Sequence, residues 1–183
     1  MSGHFRAPFW RRVSAYLASA CVAFVWVAST AEAHVSLAVQ EAPLNSTYKA
    51  IIQVPHGCDG SPTLKLRVKI PEGFIAVKPM PKAGWTLETV KGKYQKTYDY
   101  YGTPLAEGVT EVIWTGNLAD SHYDEFVLRG RISDGLPAGT TLYFPSVQEC
   151  ENGAERWIEI PAAGKDAHDL EHPAPGVKLT PAK

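Results

Sequence analysis

The sequence predicts an all-β protein, an antiparallel Greek-key β-sandwich of the cupredoxin-like or immunoglobulin-like type. Two observations support this prediction. Residues 64–70 read LKLRVKI, a strict alternation of apolar and basic side chains that is typical of a strand with one buried face. Gly, Pro, Asn and Asp also recur at short intervals after residue 34, with little helical periodicity, and such residues separate short strands.

Short strands are predicted in chain order at 35–39, 47–54, 64–70, 74–78, 85–90, 96–101, 109–114, 125–132, 141–148 and 156–160. Turn-forming residues lie between these segments, as in Pro71-Glu72-Gly73. Beyond residue 161 the composition shifts to Pro, Ala, Gly, Lys and Asp, which predicts a flexible C-terminal tail over 162–183. The folded domain is therefore expected to span 34–161.

Residues 1–33 are predicted to form a cleaved signal peptide. They combine a basic start, an apolar stretch over 13–27 and the ending Ala31-Glu32-Ala33, which is the pattern that signal peptidase cuts. No later apolar segment approaches the roughly 20 residues needed to cross a bilayer. The product is therefore expected in the bacterial periplasm or secreted, with no membrane span after cleavage. Retention of the segment as an N-terminal anchor is the alternative.

The charge balance shows that the mature chain is not strongly basic. Cleavage removes three Arg and one Glu, which leaves 15 Lys and Arg against 18 Asp and Glu, a net charge of −3 with His neutral. A chain of this charge is not expected to bind nucleic acid.

Two of the three cysteines are expected to pair. Cys21 lies in the signal peptide, whereas Cys58 and Cys150 remain as an even pair in an oxidising compartment, which favours a disulfide. The alternative is that both thiolates bind a soft metal ion.

Cleavage after Ala33 would make His34 the first residue of the mature protein. Its free α-amine and its imidazole Nδ1 could then bind one metal ion and close a six-membered chelate ring. Nitrogen donors of this kind suit copper, and Cu(II) in particular. The alternative is that the cut falls before a histidine by chance, and an acylated nitrogen would be a poor ligand.

Several motifs resemble those of the YcnI-like (DUF1775) family of exported bacterial copper-binding domains. They are Val54-Pro-His-Gly-Cys-Asp-Gly-Ser-Pro-Thr63, Leu142-Tyr-Phe-Pro145, Gln148-Glu-Cys150 and Arg156-Trp-Ile-Glu-Ile-Pro161, and the start Ala33-His34-Val35 matches the family's mature N-terminus. The resemblance covers residues 34–161. It implies a cupredoxin-like β-sandwich that binds copper through an N-terminal histidine brace, often encoded beside periplasmic copper chaperones.

The resemblance also implies roles for individual residues. His34 matches the brace histidine and Trp157 matches the family's tryptophan near the metal. The best-known branch has a glutamate after Val-Pro, where this sequence has His56 and Gly57. We therefore expect His56 to replace the carboxylate as a metal ligand. This exchange removes one negative charge from the site. It should therefore favour Cu(I) relative to a site with the carboxylate, so both oxidation states are expected to bind.

Each of these residues also has a purely structural interpretation. His56 fits a surface loop and Trp157 fits the core of a β-sandwich. Asp59 is a candidate weak axial ligand or hydrogen-bond partner of His56, and Asp-Gly is also an ordinary turn sequence.

The predicted function is that of a periplasmic copper-binding protein, not an enzyme, which stores, carries or hands over copper in copper homeostasis. Two alternatives stay open. A histidine brace also activates oxygen in copper monooxygenases, although that chemistry needs an open coordination position. A secreted interaction module without metal is the third possibility.

Overall fold

The computed structural model describes residue 1, residue 3 and residues 34–183, so the predicted signal peptide lies almost entirely outside the described residues. The described chain consists of strands and one short 3₁₀ turn, Ala167–Asp169. The strands are β1 (Ser36–Leu37), β2 (Glu41–Pro43), β3 (Ser46–Val54), β4 (Thr63–Lys69), β5 (Phe74–Pro79), β6 (Thr86–Tyr100), β7 (Thr103–Leu118), β8 (Asp124–Ile132), β9 (Thr141–Tyr143), β10 (Ser146–Cys150), β11 (Ala154–Trp157) and β12 (Gly176–Thr180).

Two main sheets form a sandwich, which confirms the predicted fold class. The first sheet has the order β1-β3-β8-β5 and the second has the order β11-β10-β4-β7-β6, with all pairs in both sheets antiparallel. The chain passes repeatedly from one sheet to the other. Among the described residues, no helix has the length and apolarity that crossing a bilayer requires.

Alternating side chains from both sheets form the core. In β3, Ala50, Ile52 and Val54 are fully buried. Leu66 and Val68 of β4, and Phe126, Leu128 and Ile132 of β8, are buried in the same way. Burying each large apolar side chain contributes about 1.5–3 kcal/mol. The largest fully buried side chains are Trp114, Phe74, Phe126, Phe144, Ile52 and Leu66. The alternation seen in the sequence of β4 is therefore the pattern that sets which face meets the other sheet.

The two segments predicted at 85–90 and 96–101 belong to one strand. β6 and β7 form a long hairpin that turns at Tyr101 and Gly102, whose φ angles are 52° and 80°. The pairing register shifts after Val90 and again after Lys93. These irregularities interrupt the alternation that a strand normally shows, and so the sequence suggests two strands where the structure has one.

The single strand predicted over 141–148 is in fact two strands that join different sheets. Pro145 separates β9 from β10, because proline has no N–H to donate to a ladder. β10 pairs with β4 and β11 in the second sheet, whereas β9 pairs with β12 in a third, small sheet.

The prediction of a flexible tail over 162–183 is wrong, and with it the domain boundary at 161. β12 pairs parallel with β2 and antiparallel with β9, and its Val177 and Leu179 are 0% and 1% exposed. The alternation of apolar and polar residues in β12 covers only five residues. It is too short to predict a strand against the Pro- and Gly-rich composition around it. Residues 158–175 therefore connect two fixed strands, and we call this segment the C-terminal strap.

Cys58 and Cys150 form the predicted disulfide, with a Cα–Cα distance of 6.0 Å, so they do not serve as thiolate ligands. The bond joins the loop after β3 in the first sheet to the end of β10 in the second. By chain-entropy estimates, closing such a long loop contributes about 4 kcal/mol.

Tyr48 makes the stability of this sandwich sensitive to alkaline pH. Its side chain is 4% exposed and its hydroxyl donates a hydrogen bond to the Val39 carbonyl over 2.5 Å. Burial raises the pKa of Tyr48 to about 12. The folded state therefore keeps the phenol proton in a pH range where the unfolded chain has lost it.

We expect the titration of Tyr48 to lower the unfolding free energy of the wild-type protein by on the order of 2–3 kcal/mol as pH rises from about 10 to about 12. Tyr48→Phe should have an unfolding free energy about 1 kcal/mol lower at neutral pH, because the hydrogen bond is missing. Above neutral pH its unfolding free energy should then fall less steeply than that of wild type. Urea unfolding at pH 8 and pH 11.5 measures both effects. The exposed Tyr101→Phe is the control, and equal alkaline slopes for Tyr48→Phe and wild type would contradict the prediction.

Candidate metal site

His34 lies two residues before β1, and its side chain is half-buried. β1 pairs with β3 so that Ser36 lies opposite Gln53. Continuing this antiparallel register by two residues brings His34 opposite Pro55, the residue before His56. The backbone therefore brings the two predicted histidines to the same end of the first sheet.

Trp157, the last residue of β11 in the second sheet, lies at the same end of the sandwich. It is 4% exposed, and its indole lies edge-on to the His34 imidazole with ring centroids 5.3 Å apart. The same indole also lies edge-on to the imidazole of His172, at 5.2 Å. Trp157 is therefore both a core residue and the neighbour of two histidines, so the two interpretations of it are compatible.

Gln148, which is 1% exposed, connects Trp157 to the His56 loop. Its Oε1 accepts a hydrogen bond from the Trp157 indole over 3.2 Å. Its Nε2 donates to the His56 carbonyl over 2.6 Å and to Thr63 Oγ1 over 2.7 Å. One buried amide thus forms hydrogen bonds with three polar groups from three different segments of the chain. Sequence reasoning missed this role, since Gln148 stood out only as part of a motif.

The His56 ring has one nitrogen engaged by the protein. Nδ1 lies 2.5 Å from the carbonyl oxygen of Gly57, and because a carbonyl only accepts, Nδ1 carries the proton. In the neutral form of a ring with this proton, the lone pair is on Nε2, which leaves that nitrogen able to bind a metal ion. The His56 side chain is half-buried, so the loop holds it partly desolvated.

A tight turn fixes the loop that follows His56. Cys58 and Ser61 exchange backbone hydrogen bonds of 3.0 and 2.8 Å, and Asp59 and Gly60 occupy the turn with φ angles of 46° and 83°. Asp59 is exposed, which fits the turn interpretation. A Cβ on Gly57 would lie 2.0 Å from the Ser61 carbonyl oxygen, so only glycine allows this close approach.

The loop before β8 lies against the His56 loop and contributes a carboxylate that sequence reasoning missed. A Cβ on Gly57 would also lie 3.0 Å from Oδ1 of the half-buried Asp120. His122, two residues further on, is exposed. No sequence pattern indicates this proximity, because it arises from the pairing of β3 with β8.

A cleft of about 560 Å³ opens beside His34. β1 and β9 line one part of it, and the C-terminal strap lines the rest, including Asp166 and the exposed His168. The strap therefore brings two histidines, His168 and His172, to the neighbourhood of the chain's predicted first residue.

The donors at this end of the sandwich fit copper chemically, since His34 and His56 offer imidazole nitrogen. Among residues 34–183, no three His, Cys, Asp or Glu side chains are grouped so that they could hold a metal ion. The predicted site has only two side-chain donors. Its third donor is the His34 α-nitrogen, which is an amide in the full chain and becomes an amine only on cleavage.

Comparison with known proteins agrees with this architecture. The crystal structure of an uncharacterized protein from Nocardia farcinica, described as having an immunoglobulin-like fold, matches with a TM-score of 0.57 and 22% identity, over 80% of this chain and 98% of that one. At this identity the likeness concerns the fold, and it defines an all-β immunoglobulin-like domain. No curated protein matches the chain.

A family model described as "Domain of unknown function (DUF1775)" matches residues 34–179, and the chain belongs to this family. The resemblance seen in the sequence motifs is thereby confirmed. The match begins at His34 and includes all of β12 except its last residue, in agreement with the corrected domain boundary.

We expect Gln148→Leu to lower the unfolding free energy by about 2–4 kcal/mol, because it leaves the Trp157 indole, the Thr63 hydroxyl and the His56 carbonyl without their partner. Urea denaturation followed by far-UV circular dichroism measures this loss. Gln95→Leu on β6 is the matched control, since Gln95 is exposed. A loss for Gln148→Leu as small as that of the control would contradict the central role of this amide.

Proposed function

We propose that the mature protein, starting at His34, binds copper as cargo and carries or hands it over in the bacterial periplasm, without acting as an enzyme. The ligands are the α-amine and Nδ1 of His34 together with Nε2 of His56. The observation that carries the proposal is the meeting of His34, the His56 loop and Trp157 at one end of the sandwich.

Two features support His34 as the first residue of the working protein. The Ala31-Glu32-Ala33 sequence precedes it directly, and the family match starts at this residue. Because the amine is produced by proteolysis, the unprocessed precursor would lack one of the three donors. Copper would then bind strongly only after export.

The nature of the site supports transfer rather than permanent storage. Three nitrogen donors from two residues leave a small ligand set, and His34 and His56 are both only half-buried. A recipient with more donors, such as a periplasmic copper chaperone, can therefore displace these ligands one at a time. Neutral imidazole donors also allow both Cu(II) and Cu(I) to be held.

The Trp157 indole next to His34 further supports a carrier over an oxygen-activating enzyme. A buried aromatic ring 5.3 Å from the imidazole restricts the space in which oxygen and a substrate could approach a bound ion. Trp157 also provides a signal, because paramagnetic Cu(II) at His34 should quench its fluorescence.

We expect mature protein that starts at His34 to bind one Cu(II) tightly, in competition titrations against a chelator of known affinity. Adding the five residues Gly-Ser-Gly-Ser-Gly before His34 should weaken this binding about 100-fold, or ~2.8 kcal/mol. The extension turns the His34 amine into an amide, places the new amine too far away to chelate together with this imidazole, and leaves every imidazole in place. The control is the same extension added after Lys183. An unchanged affinity in the N-terminally extended protein would show that the amine is not a ligand.

His56→Ala is expected to lower the affinity for this Cu(II) ion about 10- to 100-fold, since it removes the third nitrogen. His122→Ala removes an exposed imidazole from the neighbouring turn and should leave the affinity unchanged. Electron paramagnetic resonance of the Cu(II) protein should show fewer coupled nitrogens in His56→Ala only. Equal affinities for the two variants would exclude His56 as a ligand.

A further inference from the structure

We propose that His172 and Glu155 form a second, separate copper position beside Trp157, which receives the ion as it enters or leaves the His34 site. The inference rests on the proposed function for the identity of the ion and for the His34 site that this position serves. It assigns a role to the C-terminal strap, which carries His172 to β11.

The first argument is an unsatisfied nitrogen. Nδ1 of His172 is shielded from solvent and has no hydrogen-bond partner among the described residues. Oε2 of Glu155 lies 3.5 Å away, without the geometry of a hydrogen bond. If Nδ1 carries a lone pair, that lone pair faces a carboxylate oxygen, which is repulsive. A proton on Nδ1 removes the repulsion by making the contact an ion pair, and a metal ion bound between the two atoms removes it as well.

The second argument is distance. A nitrogen and an oxygen bound to one ion at about 2.0–2.2 Å lie about 2.9 Å apart at a right angle and about 3.4 Å apart at a tetrahedral angle. The observed separation of 3.5 Å is just above this range. A shift of a few tenths of an ångström in the Glu155 carboxylate is therefore enough to give both atoms bonding distances to one ion.

The third argument is that the backbone around His172 is fixed. Its N–H donates to Oε2 of Glu159 over 2.7 Å, and its carbonyl accepts from the Glu159 N–H over 3.1 Å. These bonds attach the strap to the end of β11. The imidazole is thus held next to Trp157 before any ion arrives, which lowers the entropy lost on binding.

The fourth argument is charge and position. Glu155, Glu159 and Glu171 surround His172, with Oε1 of Glu171 4.0 Å from Nε2, and their negative potential attracts a divalent cation. The indole of Trp157 contacts the imidazoles of both His172 and His34, so the two copper positions are neighbours. With few protein ligands, the His172 position suits brief occupation rather than storage.

The test uses mature protein starting at His34, titrated with Cu(II) against a competing chelator and followed by electron paramagnetic resonance. Wild-type protein should bind a second, weaker equivalent with its own spectrum. His172→Phe keeps an aromatic ring against Trp157 and removes the nitrogens, so it should lose the second equivalent and retain the first. Glu155→Gln should weaken the second equivalent about tenfold or more. His168→Phe, the matched change on the same strap, should behave as wild type.

Two results would overturn the inference: a wild-type protein that binds a single equivalent, or a second equivalent that His172→Phe leaves unchanged. Failure of the proposed function has a different signature. In that case the protein with the five-residue extension before His34 would bind its first equivalent as tightly as wild type, whatever the outcome at His172. If both proposals hold, the N-terminal extension weakens the first equivalent and His172→Phe removes the second.

Discussion

The buried amide of Gln148 is the interaction on which the functional end of this protein depends. It links a strand of the second sheet, the loop that carries His56 and the indole that contacts His34. Since the amide is almost fully buried, each of its hydrogen bonds forms in a medium where an unpaired polar group is costly. The disulfide two residues further on, at Cys150, joins the same strand to the same loop, so covalent and polar constraints act together.

In this arrangement the loop of one candidate ligand is held rigidly, whereas the other candidate ligand lies outside the strands. The loop of His56 is fixed by its disulfide, its tight turn and Gln148, whereas His34 lies two residues before β1. In the proposed site, His56 is the prepositioned ligand and His34 is the chelating residue that cleavage places at the chain end. We infer that such a combination favours stepwise capture and release, in which His172 of the strap provides a further donor close by.

Much of the fold could be predicted because strict alternation and frequent turn residues are local signals. β3, β4 and β8 were predicted within a residue or two, and so was the pairing of Cys58 with Cys150. β2 and β12 were missed because both are short, and their parallel pairing joins residues far apart in the sequence. Of the site, His34, His56 and Trp157 were selected from the sequence, whereas Asp120, Glu155 and His172 were not, since their positions depend on how distant strands and the strap pack.

The sequence by itself determined that this chain is a disulfide-linked β-sandwich with a histidine directly after a signal-peptidase motif, because composition, spacing and period are properties of neighbouring residues. Only the tertiary structure decided that the strap is fixed, that Gln148 joins the two sheets and that Trp157 lies against two imidazoles. These contacts join residues that are far apart in the chain, and they form because burying Val177, Leu179 and Trp157 outweighs the entropy lost in ordering the segments between them.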